Sequence, residues 1–121
     1  GEVETKLGGH GDAVAGLTVE NAERFWTVSY DGQVFGWSTT DWSEMVSIDL
    51  SIDGKATGLA AHPQVDQLAI TVNGGVRILS MDGETVATYE TSIQGISTPC
   101  WSPDGEFLAV GGADGAIRLY E

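Results

Sequence analysis

Residues 24–37 read RFWTVSYDGQVFGW, and this stretch decides the fold. Two short runs of β-branched and aromatic residues flank the dipeptide Asp31-Gly32. Such runs are typical of β-strands, and Asp-Gly supplies the positive φ angles that a tight hairpin turn requires. The stretch therefore predicts an antiparallel β-hairpin.

The same pattern occurs twice more along the chain, as QLAITVNGGVRIL over residues 67–79 and EFLAVGGADGAIRLY over residues 106–120. The turn residues Asp31, Asn73 and Asp114 align, at spacings of 42 and 41 residues. Further strand-like runs lie between the hairpins, and four strands every ~42 residues are typical of one β-propeller blade. We predict an all-β chain of three four-stranded antiparallel blades. These blades cover roughly residues 8–50, 51–90 and 91–121.

Composition agrees with a single folded domain. The chain has 121 residues, of which 41% are hydrophobic, enough for a core and too many for a disordered acidic tail. Seventeen glycines favour many tight turns over long helices. No apolar run approaches the ~18 residues that cross a bilayer, so we expect no membrane-spanning segment.

The charge balance excludes further classes of partner and site. With 18 acidic and 5 basic residues the net charge is −13, which argues against binding nucleic acid or an anionic membrane. The single Cys100 leaves no internal disulfide and no cysteine zinc site, and it favours a reducing, cytoplasmic location. We expect Cys100 to be a small buried apolar residue and His62 to be exposed in a loop.

No catalytic constellation stands out. His10 lacks a second histidine nearby, and the glycine pairs are not followed by the Lys-Ser/Thr of a phosphate loop. We therefore expect no enzyme activity, no metal and no cofactor.

Five stretches carry a family resemblance: Gly9-His10, Asp31-Gly32, the strand ending from Val34 to Trp37, WSPDGEFLA at 101–109 and GGADGAIRLY at 111–120. They resemble the blades of WD-repeat β-propellers. The Trp-Asp pair itself is missing, since Trp37 is followed by Ser38. The resemblance implies a non-enzymatic scaffold for protein–protein interaction. It also implies a structural, hydrogen-bonded tetrad in the first blade, formed by His10, Ser29, Asp31 and Trp37.

The order of the blades is similar to part of the actin-interacting WD-repeat proteins, which assist cofilin. That similarity implies actin and cofilin as partners, although it assigns no residue to either.

The two ends of the sequence suggest self-assembly. The third blade runs out at Glu121 after its third strand, whereas residues 1–7 resemble the outer strand at residues 83–89. Three blades do not close a ring, so we predict head-to-tail homo-oligomers, a dimer of six blades or a trimer of nine. The predicted inter-chain clasp consists of Glu2, Val3, Glu4, Thr5, Lys6 and Leu7 with Ile117 and Leu119 of the neighbouring chain.

Two alternatives stay open. Trp42, in the polar loop over residues 38–44, either packs over the rim of its blade or anchors a protein partner. The chain as a whole is either an interaction scaffold or a self-assembling propeller fragment, natural or engineered, that has no evolved ligand.

Overall fold

The fold is built from β-strands alone in the part of the chain that the computed structural model describes, namely residues 7–50, 55–72, 74–90 and 98–121. The strands are β1 (Val14–Val19), β2 (Arg24–Ser29), β3 (Gln33–Ser38), β4 (Glu44–Asp49), β5 (Ala56–Ala61), β6 (Gln67–Val72), β7 (Gly75–Ser80), β8 (Thr85–Glu90), β9 (Cys100–Trp101), β10 (Leu108–Gly111) and β11 (Ile117–Tyr120).

These strands form three antiparallel meanders. The first sheet has the order β1-β2-β3-β4 and the second β5-β6-β7-β8, while the third has β11-β10-β9. The predicted all-β class with four-stranded antiparallel sheets is thereby confirmed. The strand predicted to complete the third sheet falls on residues 1–7, of which residues 1–6 lie outside the described residues.

Strand periodicity located the elements closely. The apolar runs predict a strand over residues 14–19, which is the range of β1. The hairpin strands are predicted over residues 24–30, 33–37, 67–72, 76–79, 106–110 and 116–120, and the observed strands begin and end within two residues of these ranges. The predicted first strand of the third blade covers residues 96–101, of which Cys100–Trp101 forms β9 and 91–97 are not described.

Two apolar layers hold the sheets together, one on each side of the second sheet. The first cluster includes Trp26, Val28, Val34 and Ile48 of the first sheet with Leu59, Leu68, Ile70 and Leu79 of the second. The second consists of Ala69, Val76 and Ile78 packed against Leu108 and Val110 of the third. Because side chains alternate along a strand, β6 contributes to both layers, and the second sheet is buried on both faces.

Two glycines, Gly16 in β1 and Gly58 in β5, lie where backbone segments of neighbouring sheets approach closely. A Cβ atom added to Gly16 in β1 would lie 3.0 Å from Gly58 Cα in β5. A Cβ atom added to Gly58 would lie 2.8 Å from Thr98 Cα. Because glycine has no Cβ atom, β1 can approach β5 at Gly16, and Thr98 can approach β5 at Gly58.

One local turn recurs at three different strand connections. In each, a serine hydroxyl donates to the aspartate two residues later, and the following glycine N–H donates to the serine carbonyl. The three turns are Ser29-Asp31-Gly32, Ser80-Asp82-Gly83 and Ser102-Asp104-Gly105. Only the glycine has positive φ, at 86°, 98° and 74°, so aspartate does not supply it as the sequence had suggested. This is the geometry of a type I turn closed by a left-handed glycine.

Candidate functional site

A partly buried network joins three side chains on the face of the first sheet that points away from the second. Trp37 Nε1 donates to Thr27 Oγ1 at 2.9 Å, and this hydroxyl lies 2.6 Å from His10 Nε2. The His10 ring also stacks on Phe35, with centroids 4.2 Å apart. Since a hydroxyl both accepts and donates, Thr27 accepts from the indole and can donate to the imidazole.

Ser29 and Asp31 form a separate pair. The Ser29 hydroxyl donates to Asp31 Oδ1, which also accepts the Gln33 N–H at 3.1 Å. Within the described residues, the hydroxyl that links His10 to Trp37 thus belongs to Thr27, which the predicted tetrad omitted. Strand register explains the difference, because Ser29 lies at the end of β2 beside the turn. The locking role of these side chains stays a prediction.

The electrostatics favour a neutral imidazole. Burial lowers the pKa of His10, and the negative charges of Asp31 and Glu44 oppose that shift without reversing it. Hydrogen bonds from Ser29 and from the Gln33 N–H lower the pKa of Asp31. His10 Nδ1 is buried without a hydrogen-bond partner among the described residues, and an unpaired buried nitrogen penalises the charged ring further.

The Thr27→Val variant is expected to lose about 1–2 kcal/mol of unfolding free energy, since it keeps the shape but leaves two buried nitrogens unpaired. Urea denaturation followed by tryptophan fluorescence measures the loss. Thr88→Val, on the exposed part of β8, is the matched control and should shift the midpoint little. Equal effects of the two variants would show that the Thr27 hydroxyl contributes nothing specific.

Stability is expected to fall as the pH drops from about 7 to about 5. A histidine whose folded pKa lies below its ordinary value of 6.5 contributes stability that is complete above 6.5 and lost as the pH falls through the folded value. Thermal melting at both pH values measures the change. His10→Gln keeps a hydrogen-bonding group but cannot titrate, so its melting temperature should fall less over this range. An unchanged pH dependence in that variant would assign the effect elsewhere.

Trp42 combines contact and exposure. Its ring centroid lies 6.3 Å from that of Phe25, yet 45% of the residue is exposed. Its φ of 61° is the one positive φ outside glycine in the described segments. Asp41 fixes this turn by accepting the Ser43 N–H at 3.1 Å and the Ser43 hydroxyl at 2.7 Å. The two readings of Trp42 are therefore compatible, since it packs on the rim and also faces outward.

The outer faces of the first and third sheets expose apolar side chains. Leu17, Val19 and Met45 are exposed on the first sheet, and Ile117 and Leu119 are 76% and 62% exposed on the third. Leu7 is exposed as well, whereas Glu2, Val3, Glu4, Thr5 and Lys6 lie outside the described residues. The predicted clasp between chains stays a prediction.

Cys100 is an exposed free thiol, so the expectation that it would be buried was wrong. Its neighbour in β9, Trp101, packs against the layer shared with the second sheet. Alternation along the strand then turns Cys100 to the opposite face, against which no described sheet packs.

A cleft of about 210 Å³ opens between the second and third sheets. His62 lines it and is half-buried, with its ring centroid 4.5 Å from that of Trp101. The expectation that His62 would be exposed was therefore wrong. Tyr89 and Tyr120 line the same cleft, stacked with centroids 4.6 Å apart. The sequence did not indicate this site, although both tyrosines stand at repeat positions where other sheets carry aliphatic or indole side chains.

The described ranges contain no group of three or more His, Cys, Asp or Glu side chains placed to hold a metal ion. They also contain no helix of the length and hydropathy needed to cross a bilayer.

Comparison with known proteins identifies similar sequences. Residues 83–121 match the family model described as WD domain, G-beta repeat. Echinoderm microtubule-associated protein-like 3 of Homo sapiens is 37% identical over 118 residues, covering 93% of this chain and 13% of its own length. Echinoderm microtubule-associated protein-like 2 of Mus musculus is 35% identical over 117 residues, covering 93% and 17%. The chain therefore spans less than a fifth of the length of these curated relatives.

These findings correct one prediction. The relatives are named for microtubules, so the similarity in blade order to actin-interacting proteins is not supported. Actin and cofilin, which followed from that similarity alone, are withdrawn as partners.

Proposed function

We propose that this all-β chain, which contains a WD repeat, is a protein-interaction module and that Trp42 anchors its partner. The observation that carries the proposal is an exposed indole held in a left-handed backbone conformation by a capped turn. Such a conformation costs energy in a bulky residue, and strained residues cluster at functional sites. Exposed tryptophans are also over-represented among the residues that dominate interface energies.

The turn prepares Trp42 for binding. Asp41 and Ser43 already fix the backbone around it, and Phe25 supports one side of the ring. Less conformational entropy is then lost when a partner covers the exposed part, which favours affinity.

The proposed partner class is the microtubule, taken from the names of the relatives. A net charge of −13 gives this chain no general attraction to an acidic surface. The proposed contact therefore depends on short-range apolar packing around Trp42 more than on long-range steering.

Co-sedimentation of the chain with stabilised microtubules tests both parts of the proposal. We expect the chain to pellet with microtubules and not with actin filaments. Trp42→Ala should weaken the binding about tenfold or more, as loss of an aromatic hot spot does. Tyr30→Ala is the matched control, because Tyr30 is 43% exposed in another turn and should matter little.

Each outcome has a separate meaning. A chain that stays in the supernatant, or pellets equally with actin, contradicts the microtubule as partner. A Trp42→Ala variant that binds as well as the unchanged protein contradicts the anchor alone.

A further inference from the structure

We propose that the cleft between the second and third sheets binds a positively charged side chain, arginine by preference, presented by a protein partner. The inference rests on the proposed function in one respect, that the partner is a protein. It does not depend on Trp42 or on microtubules.

The walls of the cleft are aromatic at repeat positions that are aliphatic in the interface between the first and second sheets. Strand register places Ile48 opposite Val34 and Tyr89 opposite Val76, so Ile48 and Tyr89 are repeat equivalents. In the same way Tyr120 stands where the second sheet carries Leu79. Ile48 and Leu79 belong to the buried core between the first and second sheets. Tyr89 and Tyr120, in contrast, border an open cleft between the second and third sheets.

The other two aromatic rings are fixed by hydrogen bonds to both sheets. Trp101 Nε1 donates to the Ala60 carbonyl at 3.2 Å. His62 Nδ1 accepts the N–H groups of Gln64 and Val65, and His62 Nε2 lies 3.1 Å from the Gly105 carbonyl oxygen. Rings already held in place lose little freedom when a ligand enters.

The charge around the cleft favours a cation. Glu106 and Glu121 line it, and no lysine or arginine is among its described lining residues. A cation over a tyrosine or tryptophan face is attracted by the ring quadrupole, and a carboxylate nearby adds an ion pair. Arginine satisfies both contacts best, because its planar guanidinium stacks on aromatic rings and pairs with carboxylates.

The volume of about 210 Å³ suits one long side chain rather than a folded segment. An apolar side chain is the competing occupant, since Ile78 and Val86 also line the cleft. An apolar side chain would leave the carboxylates of Glu106 and Glu121 without a partner in the cleft, whereas a guanidinium pairs with them.

The test is a proton–nitrogen NMR titration of the full chain with the peptide acetyl-Gly-Arg-Gly-amide. We expect the Trp101 indole signal, assigned with Trp101→Phe, to shift on titration. The same peptide with neutral citrulline in place of arginine should bind at least about fivefold more weakly, because citrulline keeps the shape and loses the charge.

Variants locate the site. Tyr120→Leu keeps an apolar wall and should weaken the arginine peptide about fivefold, and Glu106→Gln should weaken it about threefold. Tyr30→Leu and Glu84→Gln are exposed controls that do not line the cleft and should have no effect. Glu106 is exposed, so its variant remains informative even if the tyrosine variant folds poorly.

Equal affinity for the arginine and citrulline peptides would overturn the proposal. Tighter binding of acetyl-Gly-Leu-Gly-amide than of the arginine peptide would also overturn it, because the cleft would then be a site for an apolar side chain. Failure of the microtubule experiment would leave this titration unaffected, and the reverse also holds.

Discussion

Replacing Trp26 with alanine is expected to lower the free energy of unfolding by about 3–5 kcal/mol. Trp26 is fully buried in the layer between the first and second sheets. Its removal takes away the largest side chain of that layer and leaves a cavity that the rigid sheets can fill only in part. Folded domains are stable by only about 5–15 kcal/mol, so this one substitution brings the chain close to unfolding.

The polar contacts of Trp26 add little to this loss. Its Nε1 donates to Glu20 Oε1 at 2.7 Å, and the Arg24 guanidinium lies 5.5 Å from the ring centroid. Without the indole, Glu20 keeps its ion pair with Arg24 at 2.6 Å, so no charge is left unpaired.

Urea denaturation followed by circular dichroism measures the effect of Trp26→Ala. Trp42→Ala is the matched control, because it removes a partly exposed tryptophan and should cost below about 1 kcal/mol. Similar urea midpoints for the two variants would contradict the prediction that burial of Trp26 contributes more to stability than Trp42 does.

The Gly58→Val substitution is expected to be almost as damaging, at about 3 kcal/mol, the upper end for an overpacked site. A Cβ at residue 58 would approach the backbone of Thr98 as well as its side chain, which lies 2.6 Å away at Oγ1. A change of rotamer therefore cannot relieve the clash, and the backbone at Thr98, just before β9, would have to move away from β5.

Thermal melting of Gly58→Val and Gly8→Ala compares a crowded glycine with an open one. Nothing lies within 4 Å of a Cβ added to Gly8, so that variant should melt at or slightly above the original temperature. A Gly58→Val protein that melts at the same temperature as Gly8→Ala would show that the contact between β5 and Thr98 tolerates a wider separation.

Local patterns predicted the elements well because hairpin formation is a local matter. Alternating apolar runs and Asp-Gly turns depend on neighbours in sequence, and they located β1 with its observed bounds. Positive φ was predicted for both residues of each Asp-Gly turn and is found at the glycine alone, since composition does not distinguish a type I turn with a left-handed glycine from a tighter one.

The features that sequence reasoning missed all depend on contacts between distant strands. Thr27 and Ser29 share one face of β2, and register with β3, not composition, brings Thr27 within reach of Trp37. His62 is covered by Trp101 of another sheet, and Cys100 is bare because no described sheet faces it. Tertiary packing determines these contacts and exposures, and a repeat pattern in one sequence carries no information on that packing.

The meander order of the strands has a kinetic consequence. Among the strands that the structure describes, every hydrogen-bonded pair is consecutive along the chain, so each of these ladders closes over a short loop at small entropic cost. Hairpins of this kind form within about 1–10 μs, which leaves the docking of finished sheets as the slow step of folding. A backbone cut between β4 and β5 would sever no ladder, and the two pieces could regain the native arrangement by association alone.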